Sequence, residues 1–333
     1  MPRHIEFNEL GGVDVLRIAE TRVTPPPPGH VQVEMKAAGL NRAELLFFQG
    51  QYLVQPHLPG ARLGFEGAGI ITALGDGVNG WTPGDRVCVT PAFRQDAYGV
   101  IGEVINIPAT ALEPIPEDVS YTHAAAFWMA YGTAYGLLVQ TGGLKAGDEK
   151  AVVFNAASSS VGLALLQIAK LYEAKTIALT RKGDKASRLF DAGADHVILT
   201  DEEDVSSRII EITEGRGFDI ACDAVGGPGT TMLENAAGFE ATMIQYGLLS
   251  GEVAPVPTNA ILGKAARLTG FHLLWHMLNL PDRRSIASAE LRASWKDGYF
   301  TPTVDRVFTF EETPAAYRYM DSNQQFGKIV IEF

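Results

Sequence analysis

The sequence predicts an α/β protein in which a doubly wound parallel sheet accompanies a second, β-rich domain. Segment 151–181 contains an apolar strand, a turn of small residues, a helix and another strand, which together form a βαβ unit. Strands and helices then alternate as far as residue 274, which favours a parallel sheet covered by helices. Residues 1–124 instead contain short strands punctuated by glycine and proline, a pattern typical of a small barrel-like β domain.

Composition limits the classes of protein that remain. A chain of 333 residues is too long for one ordinary core and favours two domains. Its 46% apolar and 20% charged residues are typical of a soluble globular protein, and a net charge of -12 argues against nucleic acid or anionic membrane as a partner. No apolar leader follows Met1, so we expect no signal peptide. Cys88 and Cys222, both in apolar contexts, are predicted to be buried free thiols, which indicates a cytoplasmic location.

The individual elements follow from periodicity. The helical pattern that begins at Ser120 extends to Leu138, and the segment 327–331 is predicted to be a strand that returns to the first domain. Strands of the first domain are predicted at 30–37, 64–71 and 82–89. In the second domain, strands are predicted at 151–154, 175–180, 195–199, 218–223, 241–246 and 268–274, and helices at 161–172, 184–191 and 205–213.

The turn of the βαβ unit is a candidate diphosphate site. A helix N-terminus presents unpaired N–H groups and a positive dipole end, to which a diphosphate binds if no side chain blocks it. Ala157 and Ser159 stand where the dinucleotide fingerprint has its first two glycines, and only Gly162 is kept. On the motif alone, an ordinary βαβ turn that packs a helix on a sheet remains an alternative. The alternation of strands and helices around it favours the dinucleotide site.

Motifs along nearly the whole chain resemble one superfamily. They are Asn41-Arg42-Ala43-Glu44 with Gly50 and Tyr52, 64–69 (GFEGAG), 83–87 (PGDRV), 133–136 (TAYG), 161–170, 193–198 (GADHVI) and Gly327-Lys328. This set resembles the medium-chain dehydrogenase/reductase superfamily, and specifically its zinc-free quinone oxidoreductase branch. The resemblance implies a partly open, GroES-like β-barrel catalytic domain at 1–124 and 276–333, into which a Rossmann domain at 125–275 is inserted. It also implies a homodimer formed through the apolar edge strand at 268–274.

Departures from the zinc enzymes of the superfamily predict a site without metal. Those enzymes place cysteine, histidine and cysteine where this chain has Asn41, Phe65 and Met129, which are poor zinc ligands. His272 and His276 are spaced to share a helix face, so a metal pair is an alternative to core or interface histidines. Without zinc, hydride transfer to a quinone or an α,β-unsaturated carbonyl is the chemistry favoured, because its charge is delocalised.

The resemblance places Asn41 and Tyr52 beside the nicotinamide as catalytic residues. An amide and a phenol are suitable donors to a developing enolate, although Asn41 has a loop-capping alternative and Tyr52 is equally consistent with lining an aromatic pocket while water supplies the proton. Leu46 stands where the family often has a second tyrosine. Aromatic residues that either form a flat substrate slot or belong to the core are Phe48, Phe93, Trp128 and Trp275.

The end of the second Rossmann strand predicts the cofactor. NAD-specific domains have a carboxylate there, whereas this chain has Thr180 and Arg181, so Arg181 is predicted to bind the 2′-phosphate of NADPH, helped by Lys182 or Lys185. A solvated surface arginine is the alternative. The resemblance also places Thr133, Val225, Gly247, Phe271 and Lys328 beside the cofactor. The other predicted cofactor contacts are Ala157, Ser158, Ser159, Ser160, Val161, Thr180 and Tyr246.

These observations together predict an NADPH-dependent, zinc-independent oxidoreductase that transfers hydride to quinones or α,β-unsaturated carbonyls. A reductase of enoyl thioesters is the nearest alternative, but the β-domain loops contain no basic cluster for a carrier's phosphates. A weakly catalytic NADPH-binding sensor or an RNA-binding protein is the alternative from another class, and the acidic net charge argues against RNA.

Overall fold

The computed structural model describes residues 1–181 and 183–333, and these divide into two compact units. The first unit comprises 1–129, 277–280 and 301–333, and the second comprises 130–276 and 281–300. Lys182, a predicted helper of Arg181, lies outside the described residues. No helix within 1–181 and 183–333 combines the length and apolar character needed to span a bilayer.

The first unit is organised around one long strand, β3. Val31, Val33 and Met35 alternate with more exposed residues along it, so one face of β3 is buried. The strands are β1 (Arg3–Phe7), β2 (Arg17–Glu20), β3 (His30–Gly39), β4 (Ala61–Arg62), β5 (Glu66–Leu74), β6 (Arg86–Val89), β7 (Val104–Pro108) and β8 (Leu112–Pro114). Its helices near these strands are α1 (Arg42–Phe48) and α2 (Tyr121–Ala124).

The second unit contains a six-stranded, wholly parallel sheet. Its strands are β9 (Ala151–Phe154), β10 (Lys175–Thr180), β11 (His196–Leu199), β12 (Phe218–Asp223), β13 (Ala237–Gln245) and β14 (Arg267–Gly270). The helices that begin in or belong to this part of the chain are α3 (Trp128–Tyr135), α4 (Ser160–Leu171), α5 (Ala186–Asp191), α6 (Val205–Ile212), α7 (Gly229–Asn235), α8 (Thr258–Lys264), α9 (Leu273–Asn279) and α10 (Pro281–Lys296).

The order of these strands is β11-β10-β9-β12-β13-β14, so the direction of winding reverses between β9 and β12. This is the topological switch point at which doubly wound sheets bind ligands beyond the carboxyl ends of their strands. The predicted α/β fold class is confirmed.

The chain ends in the first unit with β15 (Val304–Thr309), α11 (Thr313–Asp321) and β16 (Lys328–Glu332). Strand β16 pairs antiparallel with β3, with Val330 opposite Gly39, which confirms the predicted return of the last strand. The sheet order is β15-β16-β3-β5-β6-β8, and β7 also pairs with β3. The last strand therefore carries Lys328 next to the segment that precedes α1.

Several predicted bounds differ from the structure, and three of these differences change the type or the unit of a segment. The strand predicted at 268–274 ends at Gly270, and α9 begins at Leu273 with the His276 amide bonded to the His272 carbonyl at 3.1 Å. The helix predicted from Ser120 to Leu138 is divided into α2, α3 and a π-helical turn at Gly136–Thr141. Residues 281–300 belong to the second unit rather than to the predicted 276–333 segment, because Tyr135 Oη donates to Glu290 Oε2 (2.6 Å) and Gln140 to the Arg283 carbonyl (2.7 Å).

Candidate active site and cofactor site

Asn41 lies at the N-cap of α1, and its neighbour Glu44 closes that end of the helix. The Asn41 backbone N–H donates to Glu44 Oε2 at 3.0 Å, an arrangement that satisfies one of the otherwise unpaired amides of a helix start. Glu44 also accepts from the Phe65 amide (2.9 Å) and from the Tyr317 hydroxyl (2.8 Å). One buried carboxylate thus holds α1, the start of β5 and α11 together.

Burial dominates the electrostatics of Glu44. Its side chain is fully buried, and loss of hydration raises the pKa of Glu44 to about 7 despite the hydrogen bonds from Asn41 and Tyr317 and the charge of Lys328. The charge of this carboxyl group is therefore sensitive to pH near neutrality.

Lys328 forms a second buried contact with Asn41. Its Nζ donates to Asn41 Oδ1 at 2.7 Å and forms an ion pair with Glu66, and both charged side chains are 1% exposed. Glu66 Oε2 also accepts the Met129 amide at 2.8 Å. A cation that was predicted to contact the cofactor is thus engaged inside the first unit.

Both amide hydrogens of Asn41 have acceptors in this arrangement. Nδ2 donates to the Gly39 carbonyl at 3.0 Å and lies 3.4 Å from Glu44 Oε1. The geometry therefore favours the loop-capping alternative for Asn41, and its donation to substrate or cofactor stays a prediction that would require these bonds to rearrange.

Tyr52 packs against Phe65, with the ring centroids 6.3 Å apart and the planes tilted by 31°. Burial raises the pKa of Tyr52 to about 12, and the nearby Glu44 charge adds to this effect, whereas Gln95 opposes it. The phenol therefore stays protonated and is a hydrogen-bond donor over the whole range of physiological pH.

The four predicted slot aromatics have different environments. Phe48 is a core residue, with its ring 5.4 Å from that of Tyr317, so its predicted place in a substrate slot is not supported. Phe93 packs edge-on against Tyr98, and Trp128 is buried beside the Cys88 thiol. Trp275 is 55% exposed in the second unit. Only Phe93 lies on the loop that also carries Gln95.

The residues at the zinc positions of the superfamily do not fit zinc. Phe65 has no donor atom, and both polar atoms of the Asn41 side chain are already bonded. Over residues 1–181 and 183–333, no group of three or more His, Cys, Asp and Glu side chains is placed to hold a metal ion. His276 Nδ1 bonds the His272 carbonyl at 2.9 Å, and burial lowers the pKa of His272 to about 4, so the core or interface interpretation fits this half-buried pair.

In the second unit, the loop between β9 and α4 brings small residues close to the helix start. Ser159 is the N-cap of α4, and its Oγ accepts the Gly162 amide at 3.0 Å. A side chain at Gly162 would place its Cβ 2.3 Å from the Ala157 carbonyl oxygen, so glycine is required there. Ala156 adopts a left-handed φ of 49° to make this turn.

Asp223, at the end of β12, was not recognised in the sequence. Its Oδ1 accepts from Asn155 Nδ2 (2.6 Å) and from the amides of Val225 (2.8 Å) and Gly226 (2.9 Å). The carboxylate thereby joins the ends of β9 and β12 at the switch point and fixes the loop that contains the predicted contact Val225. An acidic residue that ends a buried strand was the available sequence signal.

Other predicted cofactor residues lie at the same edge of this sheet. The Tyr246 hydroxyl is buried and has no hydrogen-bond partner among the described residues. A Cβ on Gly247 would lie 2.6 Å from the Ala224 carbonyl, which shows how closely the two loops approach. Phe271 is buried, and a Cβ on Gly136 would lie 2.2 Å from its ring. Thr133, one helical turn before Gly136, is buried as well.

A basic cluster lies at the end of β10. Arg181 follows Thr180 in an exposed bend, and Lys185 Nζ donates to Ser158 Oγ at 3.3 Å. Lys185, which follows β10, thus reaches the loop after β9, beside Ser160 and Val161 at the start of α4. An ammonium beside a helix N-terminus has the chemistry that suits a dinucleotide phosphate.

This architecture is that of a two-domain dehydrogenase with a Rossmann dinucleotide-binding domain. Two family models match it, the alcohol dehydrogenase GroES-like domain over residues 27–117 and the zinc-binding dehydrogenase domain over residues 160–277. Quinone oxidoreductase 1 of Escherichia coli is 35% identical over 256 residues, which cover 77% of this chain and 76% of that protein. The chain belongs to the zinc-free quinone oxidoreductase branch of the medium-chain dehydrogenase/reductase superfamily, and it is an oxidoreductase of that superfamily.

Two further proteins are similar over the whole chain. The human synaptic vesicle membrane protein VAT-1 homolog is 29% identical over 347 residues, covering 99% of this chain and 86% of that protein. The crystal structure of Escherichia coli quinone oxidoreductase complexed with NADPH matches with a TM-score of 0.89 and 28% identity, covering 99% of this chain and 100% of that one.

Proposed function

We propose that this protein is an NADPH-dependent, zinc-independent reductase of quinones or α,β-unsaturated carbonyls. The observation that carries the proposal is the pair Tyr52 and Phe65: a neutral phenol donor packs against an aromatic ring at the position where zinc relatives have a ligand. A phenol with a flat apolar neighbour suits a conjugated carbonyl better than it suits a metal.

The protein's own residues have distinct tasks in this reaction. NADPH, when bound, supplies the hydride. Tyr52 donates a hydrogen bond to the substrate oxygen on which negative charge builds, and that proton or one from water completes the reduction. The buried Glu44 and the Lys328–Glu66 pair hold α1 and β5, and hence Phe65, in place.

The preference for NADPH rests on the cluster at the end of β10. Arg181 and Lys185 offer a guanidinium and an ammonium for a 2′-phosphate, and no carboxylate stands at Thr180 or Arg181 to bind ribose hydroxyls instead. The amides of Ser160 and Val161 face the diphosphate at the start of α4.

The function is tested by NADPH consumption with quinones, enones and saturated aldehydes as acceptors, before and after exhaustive chelation. We expect turnover with quinones or enones, little with saturated aldehydes, and no change on chelation. An inactive protein would favour the sensor alternative, and stoichiometric, tightly bound zinc would contradict the metal-free reaction. Enoyl-thioester substrates in the same screen test the nearest rival.

We also propose a homodimer in the cytoplasm. Strand β14 is the last strand of its sheet, pairs only with β13 among the described strands, and exposes 41% of Leu268. An exposed strand edge of this kind is an aggregation liability that a second copy would cover. Sedimentation should show a dimer at micromolar concentration, and Leu268→Lys should shift it toward monomer; a wild-type monomer would contradict the proposal. The two unpaired cysteines support the location.

A further inference from the structure

Gln95 is a buried amide that is left without hydrogen bonds. Its side chain is 2% exposed, and neither Oε1 nor Nε2 has a partner among residues 1–181 and 183–333. Buried polar groups are nearly always satisfied in native proteins, because an unpaired one loses its hydration and gains nothing in return. An unsatisfied amide inside an oxidoreductase unit therefore indicates a group that is reserved for a ligand.

The loop that carries Gln95 is fixed beside the loop that carries Tyr52. His57 Nε2 and Asp96 Oδ2 are 3.1 Å apart, which joins the two loops next to Gln95. A Cβ on Gly64 would lie 2.7 Å from the Ile101 amide, so the chain after Gln95 also packs closely against the residue before Phe65. The Gln95 amide is near enough to the Tyr52 hydroxyl to lower the pKa of the phenol, although the two do not meet hydrogen-bond geometry.

Leucine stands at position 46, where the resemblance would place a second tyrosine, so Tyr52 is the phenol predicted for this site. One donor stabilises a developing oxyanion less than two donors that converge on it, and a neutral amide supplies the second without introducing charge. Gln95 is the buried side chain beside Tyr52 that has such a donor uncommitted.

We propose that Gln95 is a catalytic residue whose Nε2 donates a hydrogen bond, alongside Tyr52 Oη, to the carbonyl or quinone oxygen of the substrate. The inference rests on the proposed function and specifies how that site recognises its substrate class. The two donors stabilise the charge that reaches the oxygen when the conjugated carbon accepts hydride, and no bond to Gln95 forms or breaks.

The kinetic test compares Gln95→Met with the matched control Thr90→Val. Methionine has nearly the shape of glutamine without its donor, so kcat/KM for the best quinone or enone should fall on the order of 100-fold while thermal stability is unchanged or higher. Thr90 is equally buried, but its Oγ1 donates to the Ala111 carbonyl at 3.0 Å, so Thr90→Val should lower stability and leave kcat/KM unchanged. A loss below about threefold in Gln95→Met would overturn the proposal.

A binding test does not depend on turnover. Wild-type protein saturated with NADP⁺ should bind cyclohexanone about 3- to 10-fold more tightly than methylenecyclohexane, which has the same shape but no carbonyl acceptor. Gln95→Met should reduce that ratio by at least about threefold, and should Gln95→Met fold poorly, Gln95→Leu serves for the same comparison. A wild type without preference for the ketone would overturn the assignment.

A failure of the Gln95 assignment can be distinguished from a failure of the proposed function. If wild type reduces quinones or enones and the Gln95 variants keep full kcat/KM, the proposed function stands and Gln95 is structural. If wild type reduces none of the acceptors, the proposed function fails, and the ratio of the two binding constants still reports whether Gln95 recognises a carbonyl.

Discussion

The polar groups around Asn41 in the first unit and those around the β9–α4 loop in the second unit are organised in opposite ways. Near Asn41, ionisable side chains are buried and hydrogen-bonded by their neighbours: Lys328 pairs with Glu66, and Glu44 accepts from Tyr317. In the second unit, the β9–α4 loop consists of small residues, and Asp223 accepts the amides of Val225 and Gly226 in a neighbouring loop. The first region is thus held by buried ionisable side chains, whereas the second region is held by hydrogen bonds from backbone amides and is the proposed cofactor site.

This contrast predicts that mutations in the first region change stability and that mutations at the cofactor loop change affinity alone. Tyr52 is an exception, because it lies within the first unit but is proposed to donate a hydrogen bond to the substrate. Four experiments examine the contrast.

The largest effect is expected from Lys328→Met. The change leaves the Glu66 carboxylate buried and unpaired, which costs about 3–5 kcal/mol of unfolding free energy in urea. The double variant Glu66→Gln with Lys328→Met should recover much of the loss, since no charge is left buried. Lys36→Met, which breaks the more exposed pair with Glu34, should cost at most about 1 kcal/mol. Equal losses in the two single variants would refute the view that the buried pair stabilises the first unit.

The charge of Glu44 should make stability depend on pH. Because the folded-state pKa is raised to about 7 from 4.5, its contribution is fully present below pH 4.5 and is lost as pH rises through 7. Relative to Glu44→Gln, the unfolding free energy of wild type should fall by roughly 3 kcal/mol between pH 4 and pH 8. Subtracting the unfolding free energy of Glu44→Gln at each pH removes the contribution of the other titrating groups. A difference that does not vary with pH would mean that folding leaves the pKa of Glu44 unchanged.

Tyr52→Phe should change catalysis without changing stability. If the phenol donates to the substrate oxygen or supplies its proton, kcat should fall on the order of 100-fold while the Kd for NADPH is unchanged. Tyr319→Phe, which removes a hydroxyl bonded to Asp305 at 2.8 Å, is the control and should keep full activity. A decrease in kcat of less than about threefold would show that water provides the proton and that Tyr52 only lines the pocket.

A mutation at the proposed cofactor site of the second unit should change cofactor affinity rather than stability. Arg181→Ala should weaken NADPH binding about 10- to 150-fold, because a hydrogen bond to a charged group contributes roughly 1.5–3 kcal/mol. NADH affinity and the unfolding free energy should hardly change, and the exposed Arg216→Ala is the matched control. Equal loss for both cofactors, or a wild type that binds NADH as tightly as NADPH, would show that Arg181 is a surface arginine.

The alternation of strands and helices in the second unit was predictable from the sequence because it depends on local periodicity. Strand 218–223 has the predicted bounds, and helix 160–171 differs by one residue at each end. The return of β16 to the first unit also followed from its pattern. The strand predicted through Leu274 was wrong past Gly270, because an apolar run does not distinguish a strand from a buried helix.

The fold class was predictable from the residues alone, since motif, turn chemistry and hydrophobic period are properties of neighbouring residues. The hydrogen-bond partners of the polar side chains, in contrast, depend on tertiary contacts. Lys328 contacts Asn41 across 287 positions, and Tyr317 contacts Glu44 across 273. Contacts so distant in sequence leave no local pattern. An unsatisfied amide such as that of Gln95 can likewise be recognised only when the positions of all its neighbours are known.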